Sequence, residues 1–177
     1  EFLKAHAVAS RSWLLTKITK KKKNSDVKSE NGQILRTYGN EEHDLFHVCA
    51  DDHCQRYHGI TKIISGEVEV AVEETRGLVL AYGESICDAR YSKCCGGITE
   101  EYSTAWEEKE VPYLVSVSDS IHDFGPLRTE QDVERWVNSN PDVFCNFRNQ
   151  ELLSRVLTDT DLKTEDFFRW KVVLKND

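Results

Sequence analysis

Methionine is absent from all 177 residues, so the initiator is missing and a lost leader or anchor fits the sequence. The chain is expected to be truncated at both ends. No apolar run approaches the roughly 20 residues a membrane-spanning helix needs, and no charged-then-apolar leader opens the chain. Cysteine is sparse, six in this length, whereas disulfide scaffolds are short and far denser in Cys. Positive charge is the minority sign, net −8, which argues against a dedicated nucleic-acid binder.

What is present is enough for one ordinary domain. With 39% hydrophobic and 10% aromatic residues, such a chain can bury roughly 70% of its unfolded surface. The charge is uneven. Residues 1 to 29 hold eight Lys/Arg against Glu1 and Asp26, net +6, and the rest holds 15 against 29, net −14. Most of the positive excess is the run Lys20 to Lys23 inside "KKKKNSDVKSENG", which reads as a mobile, solvated loop.

The opening "EFLKAHAVASRSW" has helical spacing to about Ile18. At about 3.6 residues per turn, Glu1, Lys4, Val8, Arg11 and Leu15 share one stripe, leaving Phe2, Leu3, Ala5, Ala9, Trp13 and Leu14 for burial. Asn31-Gly32 signals a turn, and Gln33 to Tyr38 a short strand. Residues 39 to 59 lack core-forming residues. "GEVEVAVEETRG" fits a strand by Val68, Val70 and Val72, and equally a helix end capped by Gly77. "LVLAY", Gly83-Glu84 and "SICDARY" predict a hairpin, and Pro112 to Asp119 another strand. A helix is expected from Thr129, its N-cap, to Val137, with a further one over Glu151 to Leu157. A final strand is expected over Phe167 to Leu174. The class is α+β: a single domain over 1–177 with a mixed or antiparallel sheet and a long N-terminal helix.

Two clusters carry chemistry. "HDLFHVCADDHCQRYHG" crowds His43, His47, Cys49, His53, Cys54 and His58 into one polar segment. Thiolate and imidazole ligands at short spacing suit tetrahedral zinc. A Cys49–Cys54 disulfide and unliganded side chains are the alternatives. The preferred zinc set is His43, Cys49, His53 and Cys54, with His47 as substitute for His43. The second cluster is "YSKCCGGITE", where glycines permit close backbone approach and positive φ. It serves equally as a hairpin-end turn with buried thiols, or as a place where Cys94 or Cys95 pairs with Cys87 or Cys145. On pattern alone the charged stripe of the first helix is a solvated face.

Taken together, "EFLKAHAVASRSW", "DDHCQRYHG", "AVEETRGLVLAY" and "ICDARYSKCCGGITE" resemble, in order, the blocks of the SpoIID/LytB domain family over about residues 1 to 119. The departures are His6 for the usual Gln, Trp13 for Tyr and Cys94-Cys95 where Ser is common. The resemblance implies peptidoglycan as substrate. The family's sporulation members are lytic transglycosylases that cleave between N-acetylmuramic acid and N-acetylglucosamine, leaving a 1,6-anhydro end. LytB-type members are called amidase enhancers, which implies as the alternative a non-catalytic module that binds peptidoglycan. The family's catalytic glutamate falls on Glu1, and its accompanying cations on Lys4 and Arg11. Its groove-lining turn falls on Tyr91, Ser92, Gly96 and Gly97, and its structural zinc site on His43, Cys49, His53 and Cys54. The resemblance favours the helical form of "AVEETRG". It further implies an exported protein of the cell envelope, with glycan strands and an amidase as partners. A single carboxyl suffices for the reaction, and it must be protonated near neutral pH; partial burial favours that and nearby cations oppose it. A free α-amino group on Glu1 would be one more such cation, so the native chain is expected to continue upstream.

Overall fold

The computed structural model describes residues 1–19, 27–30, 33–36, 43, 45–51, 54–55, 65–157, 162–163 and 168–174. They belong to two compact units, Glu1–Tyr91 and Ser92–Asp177. The α+β class holds, but among the described residues the sheet is reduced to separate two-stranded antiparallel hairpins.

The first unit is built on α1 (Phe2–Thr19). Its buried residues are Ser12, Trp13 and Thr16, two of them hydroxylic, so the face toward the core is not a plain apolar stripe. Burial of the hydroxyls is affordable because each is bonded. Ser12 Oγ donates to the Val8 carbonyl at 2.7 Å and accepts from the Leu80 N–H at 2.8 Å, and Thr16 Oγ1 donates to the Trp13 carbonyl at 2.8 Å. Phe2, expected to be buried, is 78% exposed. The helical face that carries it bears the rings of Phe2 and His6 one turn apart.

Two strands follow, β1 (Val27–Glu30) and β2 (Gln33–Arg36), paired with Val27 opposite Arg36 and Glu30 opposite Gln33. β1 thus lies inside the stretch expected to be a solvated loop; "VKSE" finds the partner that its polar composition concealed. The lysine run and Asn31-Gly32 lie outside the described residues.

The ambiguous valines form a helix, α2 (Gly66–Glu74), with Glu67 and Glu69 in its first turn, where the helix dipole favours acids. Its other end is held by Arg11. That guanidinium donates to the carbonyls of Thr75 at 2.7 Å and Leu78 at 2.8 Å, and more distantly to Val72 and to Thr75 Oγ1. A cation at a helix C-terminus meets both the dipole and carbonyls left without helical partners. The chain then turns at Gly77, φ 76°, into β3 (Ala81–Tyr82) and β4 (Ser85–Ile86). Gly83 has φ 59° at the first central position of this hairpin, the pattern of a type II′ turn.

The second unit has α3 (Tyr102–Ala105), α4 (Glu130–Val137) and α5 (Gln150–Val156). The expected strand at Pro112–Asp119 is not formed. One bridge pairs Ile98 with Ser118, and beside it the Thr99 hydroxyl substitutes for a ladder, accepting from Val117 N–H at 2.8 Å and donating to the Val115 carbonyl at 3.1 Å. The expected C-terminal strand is likewise absent from residues 168–174. Trp170, Val172, Val173 and Leu174 are 66–85% exposed; β-propensity without a neighbouring strand gives no sheet.

α4 begins as expected at Thr129, in a reciprocal capping box with Asp132. The Thr129 hydroxyl, then Arg135, holds the Asp132 carboxyl below its usual value of 3.8. Because the folded value is depressed, this contribution to stability is complete above pH 3.8 and is lost as pH falls through the folded value. Asp132→Asn is therefore expected to flatten the acid limb of a stability-against-pH profile and to leave its neutral-to-alkaline limb parallel to wild type.

Candidate functional site

The N-terminal turns of α1 and of α2 line an open groove of about 690 Å³, bordered by Glu1, Leu3, Lys4, Gly66, Glu67, Glu69, Val70 and Ala71. Three of these are acids and one is a cation, so the groove repels polyphosphate backbones and suits an uncharged or cationic ligand. The Glu1 side chain is 96% exposed at its edge.

Lys4 bridges two acids. Its ammonium lies 2.6 Å from a Glu74 carboxylate oxygen and 3.6 Å from Glu1. The hydrogen bond to Glu74, followed by the charge of Glu1, pushes Lys4 above its ordinary value of 10.5, so it remains a cation at neutral pH. Glu74 is the residue that pattern reading missed. It sits in the "AVEETRG" block, and only its helical form brings the acid to α1.

Tyr91 belongs to the same unit. Its ring meets His6 edge-on at 4.9 Å, His6 stacks on Phe2 at 5.9 Å, and the Tyr91 hydroxyl lies 3.5 Å from Ser10 Oγ. Phe2, His6 and Tyr91 thus form an aromatic row along α1, and Phe2 follows Glu1 directly. The i, i+4 spacing of Phe2 and His6 was the available signal. Of the predicted groove residues, Glu1 and Lys4 line the cavity. Arg11 is committed to the end of α2, and Tyr91 to the flank of α1.

Ser92, Gly96 and Gly97 belong to the second unit. Ser92 is exposed, whereas Gly97 is buried. Its φ is 98°, and a Cβ there would lie 2.9 Å from the Trp136 ring and 3.0 Å from Val143. Gly96, φ 71°, presents its carbonyl to Trp136 Nε1 at 3.1 Å and to the Arg169 guanidinium at 3.0 Å. The close approach that glycine permits here is to protein. Gly97→Ala is expected to destabilise the protein by about 2–4 kcal/mol, combining a left-handed backbone with overpacking against Trp136. The check is the denaturant midpoint, with Gly77→Ala, where a Cβ meets nothing within 4 Å, losing only the backbone share of about 1 kcal/mol.

The polar segment brings three of its soft ligands together. His43 Nε2 lies 3.1 Å from Cys54 Sγ, both residues are buried, and one ligand atom each from His43, Cys49 and Cys54 lie within 4.8 Å of one another. Burial pushes the Cys54 thiol up, a cost that a bound cation would offset by stabilising the thiolate. The Asp51 N–H donates to Cys49 Sγ at 3.4 Å, an outer contact that orients a ligating sulfur. Imidazole and thiolate at this closeness fit a tetrahedral metal. His47 is exposed and is not in the group. His53 and His58 lie outside the described residues. Among the described residues, no helix is long and apolar enough to cross a membrane.

Comparison with known proteins divides the chain similarly. Residues 1–82 match the family described as Stage II sporulation protein, and residues 100–177 match one described only as a domain of unknown function. A 50-residue stretch is 44% identical to the amidase enhancer of Bacillus subtilis (strain 168), covering 28% of this chain and 7% of that protein. The chain therefore spans a small fraction of that relative's length. No solved structure matches.

Proposed function

Residues 1–82 belong to the SpoIID/LytB family, and on that premise we propose that this chain is a peptidoglycan lytic transglycosylase of the cell envelope with Glu1 as its acid and base. The observation that carries the reading is the open groove with Glu1 at its edge and Lys4 beside it. As an acid, Glu1 would protonate the glycosidic oxygen between N-acetylmuramic acid and N-acetylglucosamine; since its side chain is 96% exposed and beside Lys4 in the free chain, the bound glycan would have to supply the burial that such an acid needs. As a carboxylate it would then accept the proton of the sugar's own 6-hydroxyl as that oxygen attacks the anomeric carbon. No second carboxyl and no activated water is needed.

Lys4, anchored by Glu74, would orient Glu1 and hold substrate. Arg11 would keep α2 in place as the opposite wall, and the exposed Phe2 ring and half-buried Tyr91 ring would offer apolar faces to sugar rings. His43, Cys49, His53 and Cys54 would hold a structural zinc, which would pin the polar loop and take no part in proton transfer.

The name of the Bacillus relative favours a second reading: a non-catalytic module that binds glycan strands and stimulates an amidase. Incubation of purified sacculi with the protein, followed by muropeptide analysis, decides between them. The transglycosylase reading expects 1,6-anhydro-muropeptides. Intact glycan after long incubation, with sacculus binding and faster release of stem peptides by an added amidase, would replace it with the enhancer reading.

A further inference from the structure

The second unit contains another set of metal-ligand atoms, made from three separate segments. Cys95 Sγ and Cys145 Sγ are 3.8 Å apart, and a carboxylate oxygen of Asp119 completes a group whose members all lie within 4.8 Å of one another. All three residues are partly buried. Asp119 is fixed on every side. Its N–H donates to the Gly97 carbonyl at 2.9 Å, its own carbonyl accepts from Phe144 N–H at 2.8 Å, and its carboxylate accepts from Cys145 N–H at 2.9 Å.

From this arrangement we infer that Cys95, Asp119 and Cys145 form a second zinc-class site, with two thiolates, one carboxylate and a solvent ligand. Two sulfurs bound at about 2.3 Å to a tetrahedral ion are separated by about 3.8 Å, the separation seen here. The competing use of two neighbouring thiols is a disulfide, and Asp119 distinguishes the two. A carboxylate held against two sulfurs contributes nothing to a disulfide, whereas it supplies the third anionic donor to a cation. The unit also has need of a staple. Ile98, Val143 and Leu153 are its buried apolar side chains among the described residues. A body with so small a core gains stability from a metal that ties residues 95, 119 and 145 together.

The test uses the whole chain, purified without chelator, and zinc as the probe. Native alkylation with peptide mass mapping should find Cys95 and Cys145 protected, then modified once a chelator is added. Cys145→Ser and Asp119→Asn should each lose one zinc equivalent relative to wild type, and cobalt exchanged into wild type should show thiolate-to-cobalt charge transfer that Cys145→Ser weakens. Because Cys145→Ser can also unfold the unit, the alkylation pattern of wild type is decisive. Cys95 and Cys145 peptides joined until a thiol reductant is added, or equal alkylation with and without chelator, would overturn the site.

Discussion

Glu1→Gln is expected to lower the release of anhydro-muropeptides from sacculi by about 10²–10⁴-fold, the usual worth of a positioned proton donor, while sacculus binding stays near wild type. Glutamine keeps the size and the hydrogen-bonding edge of the carboxylic acid but has no proton to give to the glycosidic oxygen. The side chain is 96% exposed and supports no core contact, so the substitution should leave the unfolding midpoint unchanged, and lost activity would be chemical in origin. Glu74→Gln provides the companion measurement. It removes the charged partner that holds Lys4 at 2.6 Å and leaves Glu1 intact, so it should reduce turnover less than Glu1→Gln does. Full retention of cleavage in Glu1→Gln would remove this residue from the chemistry.

The contrast between α1 and the second unit explains how much was legible in the sequence. α1 was visible because its spacing is helical over five turns, and α4 because Thr129 and Asp132 form a local capping box that needs no distant partner. "GEVEVAVEETRG" could not be resolved from propensity, since valines at alternate positions satisfy a strand and a helix alike. Its helical form depends on Arg11, 61 to 67 positions away, holding its C-terminal end. "PYLVSVSD" and the 168–174 segment have strand composition, but a strand exists only beside another, and that pairing is a tertiary fact. The same limit applied to the site. Glu1 and Lys4 were readable as one helical stripe, whereas Glu74 as the anchor of Lys4 was not. The glycines of "CCGG" pointed to a close approach without saying that Trp136 and Val143 would make it. Cys145 was one of two partners left open for Cys94 or Cys95, and only the fold selects the approach of Cys145 to Cys95.

Removing the zinc proposed for the His43, Cys49 and Cys54 group is expected to have the largest effect on local stability. Structural zinc contributes on the order of 10 kcal/mol in small peptides that are unfolded without it. Here the ligands share a unit with α1 and α2, which keep their own contacts, so the loss should be local. Cys54→Ser should release one zinc equivalent and accelerate amide exchange across residues 45–51 by at least about a hundredfold, equivalent to roughly 2.8 kcal/mol of local opening. The amides around buried Trp13 should exchange at close to their wild-type rate. The comparison with Cys145→Ser separates the two metal groups, since that variant should leave residues 45–51 unaffected. If no zinc accompanies the wild-type protein and chelation leaves these amides unchanged, the segment is held by other means, and a Cys49–Cys54 disulfide becomes the expectation for a non-reducing peptide map.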